Sequence, residues 1–142
     1  MNEHGKKDIL IIDSTLRDGN HAVRHQLNKH QISAYSAAAN AAKIPVVMVG
    51  HGNGLGASSL QVGESFLTDT EMISIARESL TVSKLGVLII PGFGTIKKDL
   101  KNAMDLGVDI VCVSCHCTET DTTQRHIAYV RERGKTAYAN LM

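Results

Sequence analysis

The stretch Ile9-Leu-Ile-Ile-Asp-Ser-Thr-Leu-Arg-Asp-Gly-Asn-His21 decides how the rest of the chain is read. Its first four residues are apolar with no polar alternation, the pattern of a parallel strand covered on both faces, so a buried strand is expected over 9–12. The run stops at Asp13, and by His21 it has added two carboxylates, a guanidinium and an imidazole beside Gly19. A carboxylate such as that of Asp18 is a hard oxygen donor suited to a divalent cation. The planar fork of Arg17 matches a carboxylate or enolate oxygen, and histidine, here His21, is the residue type that changes charge near neutral pH. Together they predict an acid/base site for an anionic, metal-bound substrate at the carboxyl end of a strand. Taken singly, each has a plain structural role: Asp13 or Asp18 as a helix cap, Arg17 in a surface ion pair, His21 solvated.

Outward from this stretch, strand and helix patterns alternate. The Ala-rich segment 29–43 places Ile32, Tyr35, Ala39 and Ala42 on one helical face, and 44–49 is a second apolar strand ending in a glycine-rich loop that runs to Thr68. That loop lacks the phosphate-binding Gly-x-x-x-x-Gly-Lys-Ser/Thr pattern and is expected to form a lid or wall, with His51 either a substrate contact or solvated. Thr68 and Glu71 predict a capped helix reaching about Ser83, with Met72, Ile75, Ala76 and Leu80 buried and Gly86 as its stop. A third strand over 87–90, a helix capped by Thr95 and ended by Gly107, and a fourth strand over 108–114 follow. A helix capped by Thr120 or Asp121 and running to about Arg133 then precedes a fifth strand over 136–142. Such alternation predicts an α/β fold with a parallel sheet, either a barrel portion or a doubly wound sheet.

Composition narrows the partners. A net charge of +1 and 4% aromatic content leave neither a basic footprint nor stacking material for nucleic acid. The amino terminus, Met1 to Asp8, is polar, and no apolar run approaches a membrane span of about 18 residues, so neither secretion nor a membrane is indicated and the cytoplasm is expected. The three cysteines all fall in Cys112-Val-Ser-Cys115-His-Cys117. Strand alternation would turn neighbouring ligands to opposite faces, so buried free thiols are expected there rather than a zinc site, with His116 nearer the mouth.

Asp13-Ser-Thr-Leu-Arg-Asp-Gly19 resembles the stretch that closes the first strand in the metal-dependent pyruvate aldolase and acyl-CoA lyase superfamily, which includes the isopropylmalate synthases. Gly19-Asn-His-Ala-Val-Arg-His-Gln26 resembles the 4-hydroxy-2-oxovalerate aldolase branch, as do Gly50-His-Gly-Asn-Gly-Leu-Gly-Ala-Ser-Ser59, Leu88-Ile-Ile-Pro-Gly-Phe-Gly94 and His116-Cys-Thr-Glu-Thr-Asp121. The resemblance implies the N-terminal portion of a (β/α)8 TIM barrel, four βα units plus a fifth strand, with 1–142 as one partial domain. A whole barrel takes about 250 residues, more than the 142 here.

It further implies retro-aldol cleavage of 4-hydroxy-2-oxopentanoate or a close homologue to pyruvate and a short aldehyde. In that scheme Asp18 ligates Mn2+ or another divalent cation and binds substrate together with Arg17, Arg17 stabilises the enolate, and His21 takes the C4 hydroxyl proton. The family associates with an acylating acetaldehyde dehydrogenase. The chain departs from the family in having no His-x-His pair, which supplies the other metal ligands, and in carrying Met48 for a strand glutamate and Asn53 for a loop aspartate. The expectation is therefore an incomplete aldolase that self-associates or pairs with a complementary half. The rival reading is a non-catalytic half-barrel that serves binding or assembly.

Overall fold

Five parallel strands lie side by side in chain order, β1-β2-β3-β4-β5, in a computed structural model that describes residues 9–142. The expectation for Met1 to Asp8 lies outside the described residues. The elements are β1 (Ile12–Leu16), α1 (Lys29–Ala41), β2 (Val46–Val49), α2 (Asp69–Ser79), β3 (Lys84–Ile89), α3 (Lys101–Asp105), β4 (Ile110–Cys115), α4 (Gln124–Glu132) and β5 (Thr136–Leu141). A doubly wound sheet reverses its strand order partway, whereas this order never reverses, so the sheet is a portion of a (β/α)8 barrel wall.

The two faces of the wall differ sharply. Val47 and Val49, Val87 and Ile89, and Val111 and Val113 face the helices and join Ile32, Ile73, Leu80 and Leu100 in the main core. The alternate residues Met48, Leu88 and Cys112 form a much smaller apolar cluster on the inner face. This is the period of two expected of strands covered on both sides. Gly86 belongs to β3 and does not end a helix: a Cβ there would come 3.1 Å from Met48 Cγ and 3.2 Å from Val46 Cγ1, so the neighbouring strand's side chains fill its place.

Helix ends follow local chemistry. Asn28 and Gln31 form a reciprocal capping box at the start of α1, and Thr68 and Glu71 form one at α2. On α1 the buried stripe is Ile32, Ser36 and Ala39, with Tyr35 partly buried and Ala42 exposed. Thr95 accepts from the Lys98 N–H, opening a π-helical turn over Ile96–Leu100 that continues into α3. Neither Thr120 nor Asp121 caps α4; a 3-10 segment, Cys117–Thr123, intervenes, and its cap is His116, whose ring accepts from the Thr118 N–H.

The first strand corrects the sequence expectation most. Ile9, Leu10 and Ile11 are 84%, 48% and 57% exposed, and pairing begins only at Ile12 opposite Val46. An outer strand has one neighbour, so the apolar run beyond the start of β2 has nothing to pair with. Within β1 the register slips: Asp13 pairs with Val47 and Leu16 with Val49, so Ser14 and Thr15 together oppose Met48. This is a β-bulge, and it re-aims the side chains on its carboxyl side.

Candidate active site

Regular alternation would put Asp13 and Leu16, three residues apart, on opposite faces. The bulge places both toward the helices: Leu16 enters the main core, and Asp13 accepts a 2.7 Å hydrogen bond from Tyr35 of α1. Asp13 is therefore a structural carboxylate, separate from the ionisable group beyond Leu16. Burial pushes its pKa up, but the bonds from Tyr35 and from the Thr15 amide and hydroxyl outweigh that and hold it below the ordinary value.

Arg17, next after Leu16, turns to the inner face. It lines a cleft of ≈ 340 Å³ with Ser14, Met48, Leu88, Cys112 and Asn140. Its Nη1 donates to Asp18 Oδ1 at 3.1 Å and to the Gly52 carbonyl at 3.0 Å, while its buried Nε has no partner. The side chain is 16% exposed, against 63% for Asp18, which does not line the cleft. An inward guanidinium with a free N–H above an apolar floor is suited to receive an anionic group.

His21 sits in a 3-10 turn, Asp18–Val23, directly after the strand. It is exposed, and its ring lies against Gly52. Arg17, Asp18 and His21 thus gather around the end of β1 and the backbone of the second loop. His116, at the end of β4, is exposed and bonded to Thr118.

Pattern alone assigns no role to His25 and offers His51 either a substrate contact or solvation, yet both are buried, at 5% and 0% exposure, and their rings stack 3.7 Å apart. The chain reaches this arrangement through two consecutive non-glycine residues in the left-handed region, Arg24 (φ 54) and His25 (φ 60), which costs roughly 1–2 kcal/mol per residue. Burial lowers the pKa of both imidazoles. At His25 the neighbouring His51 and His21 add to it, whereas at His51 the Gly63 carbonyl and Asp69 oppose it. The local signal was the four-residue spacing of His21 and His25; the stacking partner, 26 residues further on, had none.

The long loop is a packed wall. The Leu55 N–H donates to the Leu88 carbonyl at 2.8 Å, and Leu55 and Ala57 are buried. Gly54 has φ 88, and a Cβ there would lie 2.5 Å from the Leu88 oxygen, so only glycine allows this approach. Farther along, the Phe66 N–H donates to the His25 carbonyl, closing the loop over the imidazoles.

Cys112 and Cys115 are buried free thiols, as expected, and Cys117 is exposed. Among the described residues, no three His, Cys, Asp or Glu side chains are gathered to hold a metal ion. Asp18 is a suitable oxygen donor without companions, so the described residues alone do not fit a divalent-cation site.

No family model matches the chain. Among curated proteins it is 58% identical over 136 residues to 4-hydroxy-2-oxovalerate aldolase of Pectobacterium atrosepticum, spanning 96% of this chain and 40% of that protein. It is 55% identical over 142 residues to that of Spirochaeta aurantia, 100% of this chain and 42% of the relative, and 55% over 132 residues to that of Streptomyces tendae, 93% and 37%. The chain spans about two-fifths of the length of these curated relatives. Among solved structures, the carboxyl transferase domain of Rhizobium etli pyruvate carboxylase superposes with a TM-score of 0.74 at 17% identity, over 95% of this chain and 24% of that one. The complete Rhizobium etli enzyme matches with a TM-score of 0.72 at 18% identity, over 95% and 14%. At such identities the likeness shows the fold alone, and it agrees with the barrel wall.

Proposed function

From its 55–58% identity to 4-hydroxy-2-oxovalerate aldolases, we propose that this chain carries the Arg17, Asp18 and His21 portion of such an aldolase, acting in the cytoplasm on 4-hydroxy-2-oxopentanoate or a close homologue. The observation that carries this reading is the inward Arg17 with its unpartnered Nε at the cleft, backed by Gly52 and flanked by His21.

In this reading the substrate's oxo-acid end lies in the cleft against Arg17. His21 accepts the proton of the C4 hydroxyl, the C4–O bond becomes a carbonyl, and the C3–C4 bond breaks. Its electron pair passes into the enolate of pyruvate, whose oxygen takes a charge-assisted hydrogen bond from Arg17. The enolate then takes up a proton at C3, and pyruvate and the aldehyde leave, the aldehyde passing to an acylating acetaldehyde dehydrogenase. A divalent cation such as Mn2+, when bound, supplies positive charge against the developing enolate. Asp18 would be the one donor of this chain to such an ion, and the other donors would have to come from a complementary half.

The test is pyruvate release from 4-hydroxy-2-oxopentanoate with Mn2+. The chain alone is expected to release none; combined with a chain carrying the other strands, it is expected to turn over, and Arg17→Lys to lower the rate about 100- to 1000-fold. Full turnover by the chain alone would refute the incomplete site. Unchanged turnover by the Arg17 variant would refute its role.

A further inference from the structure

Gly52 is engaged on three sides. Its N–H approaches His25 Nδ1 at 3.5 Å, its carbonyl accepts from Arg17 Nη1 at 3.0 Å, and a Cβ on it would fall 2.2 Å from His21 Nε2. The His21 ring therefore occupies the space a side chain would need. Its centroid is 4.9 Å from that of His25 and 6.3 Å from that of His51, edge-on to both.

Behind this seat stands the stacked His25–His51 pair, at an interplanar angle of 16°. The hydrogen bonds of His51 fix its form. Nδ1 accepts from the Asn53 N–H at 3.0 Å while Nε2 faces the Gly63 carbonyl at 3.0 Å, so the single ring proton is on Nε2. A second ring proton would meet the Asn53 N–H head-on. Both neighbours of Gly52 in sequence, His51 and Asn53, are thereby held, and the left-handed backbone at Arg24 and His25 delivers the other ring. Strained non-glycine geometry of this kind persists where the surroundings over-determine it.

We infer that Gly52 and the stacked His25–His51 pair are positioning residues for His21, fixing its ring beside Arg17. The inference rests on reading His21 as the proton acceptor of the proposed reaction. Without such a seat, an exposed histidine samples several rotamers, and a displacement of about 1 Å from the reacting geometry can cost about 100-fold in rate.

Long-range 1H–15N NMR of the imidazoles in the full chain tests the seat without reference to activity. In the unaltered chain, His51 is expected as the Nε2–H tautomer, and the His21 ring protons are expected to show a nuclear Overhauser contact with the Gly52 Hα. In Gly52→Ala and in His51→Phe, the His21 signals should move while those of exposed His30 stay. If either variant fails to fold, the tautomer and the Overhauser contact still decide the matter: their absence overturns the inference, as do unmoved His21 signals in a folded Gly52→Ala. In the chain assembled with its complementary half, Gly52→Ala should lower kcat about 100-fold while KM changes only a few-fold; an unchanged kcat also overturns it. Should His21→Gln itself leave pyruvate release intact, the proposed reaction fails, whereas the NMR result stands by itself.

Discussion

Tyr35 donates its hydroxyl to Asp13 Oδ2 at 2.7 Å, on the helix side of a strand followed at once by Arg17, which faces the cleft on the other side. The same hydroxyl shares a 3.1 Å hydrogen bond with Thr15 Oγ1. One short strand thus anchors α1 with a carboxylate and presents a guanidinium inward, and the bulge between them separates the two tasks.

Removing the anchor gives a pH-dependent loss. Tyr35→Phe should cost about 1.5–3 kcal/mol near neutral pH, the worth of a hydrogen bond to a charged group. The folded-state pKa of Asp13 is depressed, so its stabilisation is present above the ordinary aspartate value of 3.8 and fades as pH falls through the lower folded value. Urea melts of both proteins should differ at pH 7 and draw together as pH falls below 3.8. A gap that persists in acid would show that the ring contact, not the hydrogen bond, is what was lost.

The loop after β2 should behave as core at one leucine and as surface at another. Leu55 is 2% exposed and Leu60 is 85% exposed. Leu55→Ala is expected to cost about 2–4 kcal/mol, and Leu60→Ala no more than about 0.5. Denaturant midpoints measure both, and equal costs would mean the loop is not docked.

Gly86→Ala adds a methyl where Met48 and Val46 already stand at 3.1 and 3.2 Å. Overpacking of this kind costs about 1–3 kcal/mol. Because Met48 and Leu88 share the inner cluster, the added methyl should also shift the tyrosine signal of Tyr138, which lines the same cleft. An unchanged melting midpoint would show that Met48 yields freely.

Association should accompany folding. Ile9, Leu10 and Ile11 on one side of the sheet and Tyr138, Leu141 and Met142 on the other are between 39% and 84% exposed. A few hundred Å² of apolar surface at about 25 cal/mol per Å² amounts to several kcal/mol, comparable to a whole domain's stability of about 5–15 kcal/mol. Light scattering through a dilution series should report self-association or capture of a complementary half. A cooperative monomer that survives dilution would show these edges to be stable as they stand.

Where alternation or capping is local, the sequence was readable: β2, β4, the α2 stripe and the caps at Thr68 and Thr95 are where the pattern placed them. Long-range geometry was not. Nothing near Ile9 discloses that its neighbouring strand starts too late to cover it, and Gly86 looks like a helix stop until Met48 is seen filling its place. In the candidate site, Arg17, Asp18 and His21 announce themselves by type and proximity. The buried partnership of His25 with His51 depends on a loop closing over 26 residues, and the hub role of Gly52 depends on a side chain it does not have.

The bulge gives β1 one residue of slack. Elsewhere in this sheet a one-residue slip would exchange the two faces of a strand. Between Asp13 and Leu16, where two residues oppose Met48 alone, a deletion of one would leave Leu16 and Arg17 on the sides they already occupy. Sequences that differ by one residue at this point can therefore share one architecture. A search pattern written with a fixed interval from the aspartate to the arginine would pass over the shorter ones.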